Sequence, residues 1–246
     1  MKIKIYKSRI SKKSYSNWKV KRFTREEIDR ELEKKGLKVK NKKLSGEEKS
    51  IKEYSEEAVV GYCRIRNFKN IILKMKTERE LFSDYLNQFI KAITEIVEME
   101  GGETNRFSED GILFYFKKGK HKKDYLTRAV LSSFRMRYRM NKLNRKWKTI
   151  RDDAWTIGVG IDMGTAYFKT FENSSTLTGE LANMVIGLSN SAGNGQILIS
   201  DKIFNDVDFD KSLFQIKEAR HVPVHGKGYV LKVREVIGVN KDVGLV

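Results

Sequence analysis

Apolar residues at every fourth position mark the middle of this chain as helical, and short apolar runs between turn residues mark most of the remainder as strands. Between Thr77 and Glu100, Leu81, Tyr85, Phe89, Ile93 and Val97 predict a long amphipathic helix that Gly101-Gly102 ends. A second helix is predicted from His121 to Trp147, with Leu126, Val130, Phe134 and Tyr138 as its apolar stripe. Arg128, Arg135, Arg139, Lys142 and Lys146 line another face of it, and Gly179–Ser191 reads as a third helix. Strands are predicted at Ala58–Ile65, Glu103–Phe107, Ile112–Phe116, Trp155–Met163, Thr165–Thr170 and Gln196–Ser200. Turns fall at Ser108-Glu109-Asp110-Gly111, Gly164 and Gly193-Asn194-Gly195. This order describes an α/β (α+β) fold: a ferredoxin-like βαββαβ core, helices on a mainly antiparallel sheet, and a C-terminal α-β extension.

The pattern is absent before Tyr54. Residues 1–23 mix Lys and Arg with Ile, Tyr, Ser and Trp without a period; Thr24-Arg25-Glu26-Glu27 has capping-box form and opens a short helix that Gly36 closes. Leu37–Ile51 reads as a linker. The chain therefore divides into a basic N-terminal arm (1–53), a folded domain (54–238) and a tail (239–246).

Charge sharpens this division. Of a net +18, residues 1–50 carry 18 Lys/Arg against 7 Asp/Glu, and residues 117–151 carry 14 against Asp124 alone. Such blocks either solvate the fold or attract polyanions: nucleic acid, an anionic surface or a nucleoside triphosphate. Cys63 is the single cysteine, so no internal disulfide can form, and a reducing, cytoplasmic setting is expected. No apolar run approaches the roughly 18–20 residues that span a bilayer, and the basic N-terminus has no secretory apolar stretch.

Five segments in order carry a more specific signal. The first strand ends Tyr62-Cys63-Arg64-Ile65-Arg66-Asn67-Phe68-Lys69; the hairpin reads Arg106-Phe107-Ser108-Glu109-Asp110-Gly111; a later strand reads Ile157-Gly158-Val159-Gly160-Ile161-Asp162-Met163-Gly164. Thr178–Leu188 followed by Gly195–Ser200 forms the fourth, and Val222–Gly228 the fifth. Together they resemble the signature of the class III adenylate/guanylate (nucleotidyl) cyclase catalytic domains over about residues 56–236.

That resemblance implies a reaction: the 3′-hydroxyl of a nucleoside triphosphate attacks its own α-phosphate, with two Mg²⁺ or Mn²⁺ ions held by two aspartates. Asp110 matches the second aspartate, whereas Arg64 stands at the first, where a guanidinium repels a cation and cannot ligate it. Asn183 matches an asparagine that the family supplies across its dimer interface. Gly187 stands where the family has a transition-state arginine, so that charge is absent. Arg106 and Thr176 occupy the positions that read the base, in place of a lysine and an aspartate. Arg64 is expected to fill the space of the lost cation and to pair with Asp110, and with Glu109.

Plainer readings exist. Asp110-Gly111 is a good turn pair in any protein, and Asn183 could be an ordinary helix polar. His221 and His225 flank Pro223, which argues against a shared helix face for zinc. The Glu95–Glu103 cluster reads as a solvated helix end. Three functional readings remain. One is a degenerate, regulatory or nucleotide-binding cyclase-homology domain, inactive as a homodimer and needing no metal, that dimerises with itself or with a cyclase-like partner. Another is an active divergent cyclase, the pyrimidine type included, using Mg²⁺ or Mn²⁺. The third is a nucleic-acid-binding protein that uses the basic arm and the Arg135–Lys148 face.

Overall fold

The computed structural model of the protein describes residues 52–108, 110–119, 124–148, 154–171, 174–224, 228 and 230–240. The short helix expected at Thr24, Glu109 and His225 lie outside them. In chain order the elements are β1 (Lys52–Ile65), α1 (Phe68–Lys74), α2 (Arg79–Met99), β2 (Glu103–Ser108), β3 (Gly111–Lys117), α3 (Tyr125–Trp147), β4 (Ile157–Phe171) and β5 (Ser174–Thr178). α4 (Glu180–Ser191), β6 (Ile197–Ser200), α5 (Asp201–Asn205), a 3-10 turn (Lys211–Leu213), β7 (Phe214–Ile216), β8 (Arg220–Pro223) and β9 (Val230–Val239) follow.

The sheet runs β2-β3-β1-β4-β6-β9-β7, with β5 added to β4 and β8 to β9. Its first four strands have the order of a ferredoxin-like core, and all neighbours are antiparallel except β4 and β6. The expected architecture is therefore present, extended beyond β4 through α4 and β6–β9.

β1 sits at the centre, and its period-two alternation sorts side chains between two layers. Val59, Cys63 and Ile65 join the large cluster beneath α2 and α3. Ala58, Val60 and Tyr62 join a second cluster that includes Ala182 and Val185 of α4. Arg64, two residues beyond Tyr62, therefore falls on the α4 face of the sheet.

The helical ladders bury as their spacing requires: Tyr85, Phe89, Ile93 and Val97 of α2, and Leu126, Val130 and Phe134 of α3, are buried. Tyr85 stacks on Trp147 at 4.4 Å between ring centroids, and Trp147 meets Trp155 edge-on at 5.1 Å. Asn144 ties the end of α3 to the entry of β4, donating to Trp155 O at 2.7 Å and accepting from Trp155 N at 2.9 Å.

Several expectations are corrected. Trp155–Met163 and Thr165–Thr170 are not two strands: β4 passes through Gly164, because Gly164 pairs with Ala58 in an unbroken ladder on β1. α1 was not predicted: it spans only seven residues, and Phe68 and Ile71 are partly buried against the core with none of its residues fully so. Tyr138 leaves the predicted stripe and is 39% exposed, with the Lys142 ammonium 4.8 Å from its ring centre. The glutamate cluster is not wholly solvated: Glu100 is buried, its carboxylate pairs with Arg135, and its carbonyl accepts from Arg128. Arg128 and Arg135 thus cap the end of α2 and are not part of an open basic face.

Asp162 of β4 is buried on the α4 face of the sheet, 1% exposed, opposite Val60, with Met163 N donating to its Oδ1 at 2.8 Å. Burial raises its pKa, which the Ser200 side chain, the Met163 amide and Lys202 only partly oppose. The native state therefore keeps this proton to higher pH than the unfolded chain does. Stability falls as pH rises from the unfolded value of about 3.9 through the raised native one. Asp162→Asn removes that dependence. Its Tm advantage over the parent is expected to widen as pH rises across this window, and thermal melts showing a constant difference would contradict the assignment.

Candidate functional site

The register of three strands builds the site. Arg64 faces Gly111 of β3 on one side and Gly158 of β4 on the other. A Cβ on Gly111 would lie 2.4 Å from Cys63 O, so glycine lets the hairpin tip close onto β1. Ile65 N then donates to Asp110 O at 2.7 Å, continuing the ladder and bringing the Asp110 carboxylate beside Arg64.

Arg64 is held on two sides. Its Nη1 pairs with Asp110 Oδ2, and its Nε donates to Ser189 Oγ of α4 at 3.1 Å. Ser189 Oγ in turn donates to Ile186 O at 2.7 Å. The Tyr62 hydroxyl donates to Ser108 O at 2.7 Å and lies 3.3 Å from Asp110 Oδ1. The Arg64 and Asp110 side chains are 11% and 20% exposed, a pair at the mouth of the interior. Arg66 follows, with Nη1 at 3.5 Å from Ser189 O and 3.4 Å from Asn190 O, where the last carbonyls of α4 favour a cation.

An open cleft of about 780 Å³ lies in front of these groups, lined by Arg64, Arg66, Asn67, Lys69, Asp110 and Asn190 among others. Its volume suits a small-molecule ligand. Asn67 turns the chain from β1 into α1 with a φ of 56°, a conformation asparagine tolerates better than most residues. Charged and amide side chains share the lining with Ile65, Phe68 and Ile72, and its cations outnumber its one carboxylate.

Two divalent ions do not fit this site. The Arg64 guanidinium takes Asp110 Oδ2 and puts a cation where the resemblance implies a second carboxylate, and no group of three His, Cys, Asp or Glu able to hold a metal exists among the described residues.

The remaining sequence candidates stand elsewhere. Asn183 is exposed on α4, about 10 Å along the helix from Asn190. Gly187, one turn beyond it, is buried. Thr176 is exposed on β5 and pairs with Lys169, whose own β1 partner is Glu53, roughly 35 Å along that strand from Arg64. Arg106 lies on β2, and its side chain is outside the described residues. One chain thus unites Arg64 with Asp110 and leaves Asn183 and Thr176 apart from them. Sequence reasoning gave no role to Tyr62, Arg66, Lys69 or Ser189. Tyr62, Arg64 and Arg66 alternate at period two, a signal that could have placed Arg66; nothing local marks Ser189.

No family model and no curated protein matches this sequence. Solved structures do match its fold. The adenylyl cyclase CyaB from P. aeruginosa superposes with a TM-score of 0.69 at 22% identity, over 78% of this chain and 100% of that one. The guanylyl cyclase Cya2 gives 0.67 at 19%, over 78% and 96%. The guanylate cyclase domain of RhGC from Catenaria anguillulae, solved in complex with GTP, gives 0.61 at 22%, over 76% and 99%. The chain has the fold of the class III nucleotidyl cyclase catalytic domains. Within that fold it carries an arginine–aspartate pair at the place where the family resemblance implies two metal-binding aspartates.

Proposed function

We propose that this protein is a cyclase-fold domain of cyclic-nucleotide signalling that takes an anionic nucleotide in the Arg64–Asp110 cleft and does not cyclise it as a homodimer. One observation carries the reading: the Arg64 guanidinium is seated on Asp110, where the reaction implied by the resemblance needs a divalent ion. Gly187 compounds it by offering no charge to a developing phosphorane. The nucleotide arm of the reading draws on the cationic cleft and on a structural neighbour solved with GTP. A regulatory use follows, in the cytoplasm, as partner to an active cyclase or as a sensor.

Purified protein incubated with each of the four nucleoside triphosphates and Mn²⁺ is expected to give no cyclic product by mass spectrometry. A 3′,5′-cyclic product from any of them, a pyrimidine included, would establish the divergent-cyclase reading in its place. The separation of Asn183 and Thr176 from the cleft favours a site completed by a second chain. Sedimentation across the micromolar range is expected to show a dimer; a strict monomer would restrict the reading to a heterodimer with a cyclase-like partner.

A further inference from the structure

We infer that the cleft is a metal-independent site for a phosphate chain, in which Arg64 supplies as a fixed side chain the positive charge that a divalent ion would otherwise bring. This rests on the reading of the cleft as a nucleotide site and specifies its chemistry: the ligand is a free polyphosphate or nucleoside triphosphate anion, not its metal complex.

Charge is the first support. Arg64, Arg66 and Lys69 line the cleft against Asp110 as its carboxylate. Counting also the partial negative charge at the C-terminal end of α4, the site keeps about +1.5. Geometry is the second. Guanidinium groups offer a rigid fork of donors that matches phosphate oxygens, and Arg64 is fixed in place by Asp110 and Ser189 before any ligand arrives. Arg66 is held only by two long bonds to carbonyls, at 3.4 and 3.5 Å, and its Nε is buried without a partner among the described residues. Those long bonds exchange at little cost for charge-assisted ones to an arriving oxygen. Spacing is the third. Arg64 and Arg66 are two residues apart on an extended backbone, about 6.6 Å, and Lys69 follows on the first turn of α1. That row suits successive phosphates better than one.

A metal works against binding here. Mg²⁺ or Mn²⁺ on the phosphate chain cancels ligand charge and places a cation against the Arg64 guanidinium, which repels it.

Binding of inorganic tripolyphosphate and of each nucleoside triphosphate to the full-length chain, measured by calorimetry in EDTA and again in Mn²⁺, tests this directly. Binding in EDTA is expected, weakened about tenfold in saturating Mn²⁺. Arg66→Gln is expected to weaken tripolyphosphate about tenfold by removing a charge-assisted contact, and Lys69→Gln, on an exposed helix whose folding it does not control, about threefold. Binding that requires Mn²⁺ would overturn the inference and leave the nucleotide reading standing. No binding of any triphosphate in either condition would remove both. Binding in EDTA that is indifferent to Arg66→Gln and Lys69→Gln would overturn it too, placing the anion on the basic arm. Preference for a single-stranded oligonucleotide over tripolyphosphate, lost with the same two variants, would replace a phosphate-chain ligand by a nucleic acid.

Discussion

Arg64→Asp is expected to make the protein respond to Mn²⁺, with a rise in Tm that grows with metal concentration and is absent from the parent. The substitution removes the cation seated on Asp110 and puts a second carboxylate on the adjacent strand, directly opposite the hairpin tip. Two carboxylates that close repel one another until a hard divalent ion binds between them. Without metal the variant is therefore expected to be less stable than the parent. Breaking an interior ion pair costs about 3–5 kcal/mol and an exposed one less than about 1 kcal/mol. With 11% and 20% side-chain exposure this pair sits between those limits, nearer the first, at about 2–4 kcal/mol. The Ser189 contact is lost as well. Turnover is expected to stay absent, because Gly187 still supplies no charge to the transition state. Melts with and without Mn²⁺ check the result; equal behaviour of variant and parent towards the metal would mean that residues 64 and 110 do not share a cation's place.

Gly160→Ala is expected to lower Tm by roughly 4–12 °C, a cost of about 2–3 kcal/mol for overpacking in a domain of this size. A Cβ on Gly160 would stand 2.6 Å from Ser189 N and 3.0 Å from Leu188 C, backbone atoms that cannot rotate aside. α4 must therefore lift from the sheet, and Ser189, which takes the Arg64 Nε bond, moves with it. The same variant is expected to weaken anion binding at the cleft although residue 160 does not line it. Circular dichroism melts and calorimetry on one preparation test both parts. A variant as stable as the parent would show that α4 does not rest on β4 as closely as this.

Much of this architecture was legible in the sequence because helices and strands announce which face they bury. The four-residue spacing of Tyr85, Phe89, Ile93 and Val97, and of Leu126, Val130 and Phe134, could serve one structure only, and those side chains are buried. The order of elements and motifs sufficed for the ferredoxin-like core and its extension. It also singled out Arg64 and Asp110, since a guanidinium where a carboxylate is expected is visible in one dimension.

What periodicity cannot report is which distant backbone lies alongside. A glycine looked like a break at position 164, yet β4 runs through it because β1 pairs with it on both sides. Glu100 looked solvated until α3 brought Arg135 and Arg128 against it. α1 lays Phe68 and Ile71 against the core, but over seven residues that spacing is too short to stand out. The seating of Arg64 between Asp110 and Ser189, the placing of Arg66 on the last carbonyls of α4, and the separation of Asn183 and Thr176 from the cleft were all decided by tertiary structure. The sequence specified what each segment hides from water, through local and periodic preferences. The site depends on contacts between residues 46 to 125 positions apart, and these exist only once strand register and helix docking have been chosen together.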